Sequence, residues 1–400
     1  MGKGVEKIMK KLRFQIRTWN RAKKLEICVR RIAEEVKKFG IERDIIIFVI
    51  DNHSSDETPK VLKNLKEEYP FLVTYRYPKW CSVEEWLPIP EEILKKVKAE
   101  FVWVWGDDDI LLKDALPIVW KVLNSKEAEN CAVIHAGHSG LTPHSYKIYY
   151  GTVIEFFNLM GFAQFVGWFT SVICGKELVE KYLDSLNRLT IQKNCPYYSE
   201  FIKTAFPHVL LILYFTYYSP AIVIDYPIAE PIEPQTTEDA ERWEKENIGW
   251  RYFLFVKELK KLFDLQLVPE KFKPLFFKYH GYNLWDRFLF EMISSRIGIY
   301  TRNPRPDEGW EIILHIADLI DDPVVAKQIR ISVYLAKELC SRYQALKQEV
   351  ETISDDQKDK KERLQRVLND LHQKMLFLLN EINKPIFETG WAGKGYKEKN

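Results

Sequence analysis

Residues 44–58 read DIIIFVIDNHSSDET, an unbroken run of apolar, mostly β-branched side chains that ends at an aspartate. Such a run is typical of a strand buried on both faces of a parallel sheet. Before it, residues 22–39 carry apolar side chains at helical spacing and lead into Gly40, a good helix stop. After it, residues 55–69 return to helical spacing. A buried strand between two helices predicts a repeating strand–helix unit.

The same alternation continues outward from this strand. Further strands are predicted at Phe14–Arg17, Leu72–Tyr77 and Glu100–Trp105, and a further helix at Pro90–Lys98. Strands that alternate with helices predict an α/β fold built on a doubly wound sheet. A sheet of this kind binds its ligands at the carboxyl ends of its strands.

The second part of the chain has a different pattern. From about residue 236 the sequence is helical, and residues 327–351 and 359–383 predict two long helices that form a hairpin. The segment Asp225–Thr236 contains three prolines, which predict a connection or a mobile loop. The predicted domains are residues 1–235 and 236–400.

Composition excludes several classes of protein. Lys and Arg total 59 against 57 Asp and Glu, and a net charge of +2 does not favour an obligate polyanion binder. The six cysteines are scattered singly, without zinc-ligand spacing or a disulfide framework. The longest apolar stretch, Val209–Phe215, is far shorter than the roughly 20 residues of a membrane-spanning helix. The amino terminus lacks the apolar core of a signal peptide. We therefore expect a cytoplasmic protein without a transmembrane segment, soluble or peripheral to a membrane.

Glycine is scarce, at 17 of 400 residues, and this scarcity excludes two nucleotide sites. The chain contains neither the G-x-G-x-x-G of dinucleotide-binding folds nor the G-x-x-x-x-G-K-[ST] of P-loops. The first strand leads instead into Arg17-Thr18-Trp19-Asn20-Arg21.

Acidic residues follow two of the predicted strands. Asp51 and Asn52 end the strand at 45–50, and Gly106 with Asp107, Asp108 and Asp109 ends the strand at 101–105. Three consecutive carboxylates repel one another and raise one another's pKa. A divalent cation relieves this repulsion, and hard oxygen ligands suit Mg²⁺ or Mn²⁺ bridged to substrate phosphates. We therefore predict a metal–diphosphate site, with a solvated acidic turn as the alternative.

The order of these motifs resembles that of family 2 glycosyltransferases of the GT-A fold. The resemblance covers residues 12–120: T-W-N-R after the first strand, V-I-D-N-x-S-S-D-x-T after the second, and D-D-D after a later one. A looser likeness to the acceptor half of abequosyltransferase-like enzymes extends through Phe165–Ser171 and Phe206–His208. The helical carboxyl-terminal part resembles no family that we can name.

The resemblance implies a function and a set of site residues. It implies a metal-dependent, inverting transferase that moves a sugar from a nucleoside diphosphate sugar, with a UDP-sugar favoured, to an acceptor hydroxyl. On the nucleotide side it places Thr18, Asn20, Arg21, Asp51, Asn52, Ser54 and Asp56. The acidic triplet corresponds to the D-x-D-like motif, so Asp107, Asp108 and Asp109 are all carried as metal ligands and Asp107 also as a diphosphate contact.

The proton-accepting base is less well defined, and three residues are candidates. Glu200 starts a predicted helix, His208 opens the apolar segment HVLLILYF, and Asp239 lies in TTEDAERW. Each has a structural alternative: a first-turn glutamate, a core histidine and a helix cap, respectively. Arg242 and Trp243 are candidates for a loop that closes over the diphosphate.

Three further histidines, His135, His138 and His144, flank residues 139–142. They have no cysteine partners at ligand spacing, so we expect an acceptor-side loop rather than a metal site.

Two other functions remain open, and so does the acceptor. A nucleotidyltransferase-like enzyme would use the same metal and acids but usually has a glycine-rich loop after its first strand. A non-catalytic scaffold would use the long helices as its working surface. The acceptor of a transferase is a saccharide, a lipid-linked sugar or a modified DNA base. The aromatic and basic stretch 272–298 could line a groove for it, rest on a membrane surface, or simply build the helical core.

Overall fold

The computed structural model describes residues 9–82, 89–138, 144–161, 165–184, 188–204, 206–232, 248–272, 289, 292–293, 296–297 and 308–388. These residues form two compact units that divide between residues 232 and 248. The predicted boundary at 235/236 lies outside the described residues and stays a prediction.

The first unit is built on one mixed sheet, which in the described part of the chain has nine strands. The strands are β1 Lys10–Thr18, β2 Ile45–Asp51, β3 Leu72–Arg76, β4 Ala99–Gly106, β5 Asp109–Leu111, β6 Val133–His138, β7 Lys147–Thr152, β8 Val172–Cys174 and β9 Pro220–Pro231. Their order is β3-β2-β1-β4-β8-β6-β9-β5, and β7 pairs with β9. The predicted α/β class is confirmed.

Helices cover the sheet of the first unit. They are α1 Ala22–Phe39, α2 Thr58–Glu68, α3 Glu91–Leu94, α4 Leu116–Leu123, α5 Val153–Met160, α6 Lys176–Leu178, α7 Arg188–Asn194, α8 Tyr198–Phe201 and α9 Pro207–Thr216. The helix predicted at 22–39 is confirmed, and it ends at Gly40, whose φ of 71° lies in the left-handed region that glycine adopts without strain.

The strands predicted from apolar runs form the parallel half of the sheet. In this half β3, β2, β1 and β4 lie side by side in parallel register. Every residue of β2 is buried, as predicted for a strand covered on both faces. Burying an Ile, Val or Phe side chain contributes about 2 kcal/mol to folding, so β2 is a main source of the stability of this unit.

Two apolar clusters enclose the sheet. On one face Phe14 stacks on Trp103 with ring centroids 5.1 Å apart, and both belong to the cluster that packs α1. On the other face the second cluster is built around Phe48, Tyr77 and Val97. Both faces of the sheet are therefore packed against apolar side chains.

The other half of the sheet differs from the sequence expectations. Strand β8 is antiparallel to both β4 and β6, while β9 is parallel to β6. The predicted connection at 225–236 is wrong over residues 225–231, because β9 runs through Pro220–Pro231. A register shift between Ala136 and His138, opposite β9, marks an irregularity of the kind that lets a strand contain proline.

The second unit is helical in its described part. Its helices are α10 Ile248–Asp264, α11 Glu308–Asp318, α12 Pro323–Thr352 and α13 Lys358–Glu388. Asp322 caps α12 by accepting a hydrogen bond from the Val324 amide at 2.9 Å. Helices α12 and α13 contact each other, as in the helical hairpin that the sequence predicts. Most of the stretch 272–298 lies outside the described residues. Among the described helices, none is both long and apolar enough to cross a membrane.

Candidate functional site

The candidate site lies along the carboxyl ends of β2, β1 and β4. Register pairs Thr18 at the end of β1 with Asp51 at the end of β2, and Arg17 with Gly106 at the end of β4. Parallel strands thus bring the T-W-N-R turn, the D-N-x-S-S-D loop and the acidic triplet to one edge, as the order of motifs predicted.

The two loops after β1 and β2 are locked together by hydrogen bonds. The Asn20 amide donates to Ser54 Oγ at 2.9 Å, and the Ser55 amide donates to Asn20 Oδ1 at 2.8 Å. Asn20 adopts a φ of 52°, a left-handed conformation that asparagine tolerates better than most residues. This reciprocal pair fixes the edge on which the resemblance places a nucleotide.

Asp56 joins the amino ends of two helices. Its carboxylate accepts hydrogen bonds from the Ala22 amide of α1 at 3.1 Å and the Thr58 amide of α2 at 3.0 Å. A carboxylate at a helix amino terminus satisfies amides that have no partner within the helix and opposes the helix dipole. The structure thus gives Asp56 an architectural part at this edge.

Asp51 is buried and carries two kinds of contact. Its Oδ1 accepts from the Ser54 amide at 2.9 Å, and its Oδ2 lies 3.4 Å from Arg76 Nε. Arg76 also donates to the Ser54 carbonyl at 2.8 Å. Arg76 is a residue that the motif did not include, because it ends the neighbouring strand β3.

Asn52 is engaged with the protein rather than pointing away from it. Its Nδ2 donates to the Cys81 carbonyl at 2.8 Å, and its Oδ1 accepts from the Cys81 amide at 3.0 Å. This side-chain clamp fixes the loop that carries Trp80, whose ring lies 6.0 Å from that of Trp19.

The acidic triplet forms the tight turn between β4 and β5. One guanidinium nitrogen, Arg21 Nη1, donates to Asp107 Oδ1 at 2.7 Å and to Asp108 Oδ2 at 2.9 Å. The second oxygen of Asp107, Oδ2, is buried with no hydrogen-bond partner in the described part of the chain. Asp107 and Asp108 therefore share a hydrogen-bond donor in Arg21, and the charge of Lys24 also acts on Asp108.

Asp109 points to a different neighbourhood. Its carboxylate accepts a hydrogen bond from Thr170 Oγ1, which in turn accepts from the Gly106 amide at 3.0 Å. Its Oδ1 lies 4.0 Å from His138 Nε2. The structure thus gives Asp107 and Asp108 a shared donor in Arg21, whereas Asp109 takes its hydrogen bond from Thr170.

The local electrostatics follow from this crowding of acids. Burial and the Asp107 carboxylate raise the pKa of Asp108, while Arg21 lowers it. Burial also raises the pKa of the Cys28 thiol well above its ordinary value, with contributions from Asp107 and Asp109. Cys28 is therefore a protonated core residue and not a nucleophile.

The residues present fit a divalent cation only as a partial ligand set. Among the described residues, no group of three or more His, Cys, Asp or Glu side chains is arranged to hold a metal ion. Asp107 and Asp108 can supply two carboxylates, and the buried Oδ2 of Asp107 lacks a partner. Mg²⁺ is commonly held by one or two carboxylates, with waters and substrate phosphates as its other ligands, so this pair suits it.

The predicted acceptor-side histidines occupy other positions than expected. The prediction that His135 and His138 lie in a loop is wrong, because both are buried in β6. His135 Nδ1 lies 2.7 Å from the Phe165 carbonyl, and burial lowers its pKa to about 4. Residues 139–143, which separate them from His144, lie outside the described residues.

His144 contacts Asp225, a residue of β9 that the sequence analysis did not identify. Its Nδ1 lies 3.0 Å from Asp225 Oδ1 and its Nε2 lies 3.1 Å from the His138 carbonyl. Although burial acts in the opposite direction, hydrogen bonds from His144 and Ser145 lower the pKa of Asp225. Asp225 was missed because the three prolines that follow it predicted a connection.

The candidates for the base are dispersed. Glu200 is exposed in α8. His208 is buried in α9 with Nε2 2.8 Å from the Val166 carbonyl, and burial lowers its pKa to about 4, as for a core histidine. Asp239 and Arg242 lie outside the described residues. His208 packs against Phe169, the neighbour of the Thr170 that binds Asp109, and among the described residues neither Glu200 nor His208 contacts the acidic turn directly.

Comparison with known proteins gives one curated relative. The chain is 33% identical to abequosyltransferase RfbV of Salmonella typhimurium over 116 residues, 28% of this chain and 32% of that protein. The match thus spans about a third of the relative's length. The relative's name agrees with the resemblance to sugar-transferring enzymes. No protein-family model matches the chain.

Solved structures give more distant likenesses. TarS 1–349 of S. aureus in complex with UDP is 12% identical, with a TM-score of 0.47, 84% of this chain covered and 91% of that chain. Mannosyltransferase PcManGT of Pyrobaculum calidifontis in complex with GDP-Man and Mn²⁺ is 11% identical, with a TM-score of 0.46, 97% of this chain covered and 89% of that chain. Both TM-scores are too low to establish a common fold.

Proposed function

We propose that this chain is a glycosyltransferase that moves a sugar from a nucleoside diphosphate sugar to an acceptor hydroxyl, with the help of a divalent cation at Asp107 and Asp108. The observation that carries the proposal is the acidic turn. A buried carboxylate oxygen that has no hydrogen-bond partner among the described residues lies there beside a second carboxylate, at the strand edge where an α/β sheet binds its ligand. The partial similarity to an abequosyltransferase supports the same activity.

The nucleotide is proposed to lie on the locked pair of loops. Thr18, Asn20, Asp51 and Ser54 lie at or beside the ends of β1 and β2. The hydrogen bonds that join Asn20 to Ser54 and Ser55 hold the two loops in place before any ligand arrives. A preorganised edge of this kind lowers the entropy that binding must overcome. Asn52 and Asp56 act one step back, by fixing the Trp80 loop and the two helix ends.

The diphosphate is proposed to lie at the acidic turn. Bound there, Mg²⁺ or Mn²⁺ would offset the charge of the departing nucleoside diphosphate. Arg21 stands between Asp107 and Asp108 and is placed to move its hydrogen bonds from carboxylate to phosphate oxygens, a geometry that guanidinium groups favour. The acids orient the leaving group, while Arg21 limits their repulsion when no ligand is bound.

The transfer itself is proposed to proceed with inversion. The acceptor hydroxyl attacks the anomeric carbon from the side opposite the departing diphosphate, and its proton passes to a base of this chain. Thr170 orients Asp109 at the edge of the site through a hydrogen bond, and His138 Nε2 lies 4.0 Å from the same carboxylate. The donor is proposed to be a UDP-sugar and the acceptor a saccharide, either free or carried on a lipid.

A donor panel tests the proposed function. UDP-, GDP- and dTDP-sugars are added to the protein with and without Mn²⁺, and the melting temperature is measured. We expect one donor to raise the melting temperature when Mn²⁺ is present, because a ligand that binds only the folded state stabilises it. The same donor should then lose its sugar slowly to water, seen as release of the nucleoside diphosphate.

Matched variants make the test specific. Asp107→Asn should abolish the Mn²⁺-dependent stabilisation, whereas Glu67→Gln, which removes an exposed carboxylate from α2, should leave it intact. The proposal fails if no donor shifts the melting temperature, or if Asp107→Asn responds to donor and Mn²⁺ as the unaltered protein does.

A further inference from the structure

The segment 165–171 presents two large aromatic side chains at the surface. Trp168 and Phe169 are 37% and 43% exposed, while Phe165, Val166 and Thr170 beside them are buried. The two exposed aromatic residues are adjacent in the chain, so this short segment offers apolar surface of the kind that ligand-binding grooves present.

The indole of Trp168 is held in place from one side. The ring of His138 stacks on it with centroids 4.9 Å apart and planes 25° apart. His138 is itself 3% exposed and anchored in β6. His138 thus stacks on one face of the indole, while Trp168 as a whole stays 37% exposed.

The same segment is tied to the acidic turn. Thr170 bonds the Asp109 carboxylate through its hydroxyl, and its carbonyl accepts from Trp103 Nε1 at 2.7 Å. His138 Nε2, on the ring that stacks on Trp168, is 4.0 Å from Asp109 Oδ1. Two separate chains of contacts therefore hold Trp168 next to the carboxyl end of β4.

We propose that Trp168 is a platform on which a pyranose ring packs during the reaction, an inference that rests on the proposed function. A pyranose has an apolar face of C–H groups and a polar rim, and it suits an indole that is flat, partly exposed and backed by a second ring. A nucleobase also has a flat face, but the locked loops of β1 and β2 lie on the other side of the acidic turn from β8 and β6. The ring that reaches Trp168 is thus the sugar beyond the diphosphate, either that of the donor or that of the acceptor.

The test separates the two sources of that ring. Binding of three kinds of ligand is measured by calorimetry with Mn²⁺ present: a nucleoside diphosphate, the matching nucleotide sugar, and a set of methyl pyranosides. The proteins compared are the unaltered chain, Trp168→Ala, Trp168→Phe and Tyr218→Ala. Tyr218 is the matched control, because it is 52% exposed and lies just before Pro220, at the opposite end of β9 from the site.

We expect Trp168→Ala to weaken a sugar-bearing ligand about tenfold while the nucleoside diphosphate binds as before. Weakened nucleotide sugar identifies the donor ring, and a weakened methyl pyranoside identifies the acceptor ring. Trp168→Phe keeps a flat ring and should recover most of the affinity. Tyr218→Ala should bind all three ligands as the unaltered chain does.

Two results would overturn the platform. The first is that sugar-bearing ligands bind the Trp168→Ala variant as tightly as they bind the unaltered chain, or do not bind the unaltered chain at all. The other is an equal loss for the nucleoside diphosphate, which would mean general damage to the site. If the nucleotide binds with Mn²⁺ but Trp168→Ala changes nothing, only the platform fails. If no nucleotide binds but pyranosides depend on Trp168, the proposed function fails and the platform stands.

Discussion

Arg21 is the only residue for which the described structure shows hydrogen bonds to both Asp107 and Asp108. The three side chains are largely buried, so the interaction is less screened by water than a surface ion pair. Two neighbouring acids share the hydrogen bonds of one guanidinium group, and burial with the Asp107 charge still raises the pKa of Asp108. Because Arg21 already bonds both acids, the turn keeps its fold when no cation is bound and can still accept one.

Replacing Arg21 by glutamine should lower the stability of the fold in a pH-dependent way. Loss of two charge-assisted hydrogen bonds should reduce the free energy of unfolding by about 2 kcal/mol at neutral pH. Arg21 lowers the pKa of Asp108, so its removal lets burial and Asp107 raise that pKa further. Urea denaturation in EDTA at several pH values measures the effect.

The sign of the pH dependence follows from proton linkage. A carboxyl with a higher pKa in the folded state than in the unfolded state destabilises the fold as pH rises through the interval between the two values. The deficit of Arg21→Gln should therefore be largest near neutral pH and vanish below about pH 4. Lys23→Gln, which removes an exposed charge from the same helix, should show no such trend. A deficit independent of pH would contradict the assigned pairing.

At the scale of residues, the sequence predicted which strand ends lie together at the candidate site, but not the contacts between their side chains. Strand ends followed by Asp51 and Asp107 were enough to find the edge, because parallel strands end together. Nothing in the order of residues indicates that Arg21 reaches across 86 positions to Asp107, or that Asp109 turns toward Thr170. Such contacts depend on side-chain directions, which are set only when the strands are assembled.

At the scale of elements, the loop after β3 depends on one side chain of the loop after β2. Asn52 holds Cys81 through two hydrogen bonds, one donated and one accepted. Asn52→Ala should free this loop, reduce the free energy of unfolding by about 1–2 kcal/mol and weaken nucleotide binding. Amide hydrogen exchange at Cys81 should accelerate, while exchange within β2 stays slow.

The exchange measurement has an internal control. Asn52→Asp keeps the acceptor for the Cys81 amide but loses the donor to its carbonyl, so its effect should lie between those of the unaltered chain and Asn52→Ala. Unchanged exchange at Cys81 in Asn52→Ala would show that the clamp does not hold the loop.

Local pattern also decides which elements were predictable. Helix α1 was predicted from apolar residues at helical spacing, and strand β2 from a continuous apolar run, so both patterns are visible in the sequence alone. The helix predicted at 90–98 is helical only over 91–94, because β4 begins at Ala99. Strand β9 was missed, since its prolines indicate a loop and only pairing with β6 and β7 makes the segment a strand.

At the scale of the whole molecule, all the described strands of the sheet belong to the first unit. Every pairing in it joins residues between Lys10 and Pro231, and the long helices belong to the second unit. We therefore expect a fragment of residues 1–234 to unfold cooperatively in urea and to keep the donor and Mn²⁺ response of the full chain. Its stability should scale with the burial seen in the sheet clusters.

The full chain serves as the reference for this fragment. A fragment that binds the nucleotide sugar but transfers only to water would assign acceptor binding to the second unit. A fragment that aggregates or unfolds without a transition would show that the sheet alone is insufficient.

The hydrogen-bonded lock between Asn20, Ser54 and Ser55 has a consequence for protein engineering. Each loop supplies a backbone amide to the side chain of the other, so neither has its native shape without its counterpart. A graft that transplants the T-W-N-R turn into another scaffold will carry its geometry only if the S-S-D loop is transplanted with it. We expect substitutions in one loop to depend on the residues of the other. Deep mutational scanning of both loops would detect this coupling as epistasis.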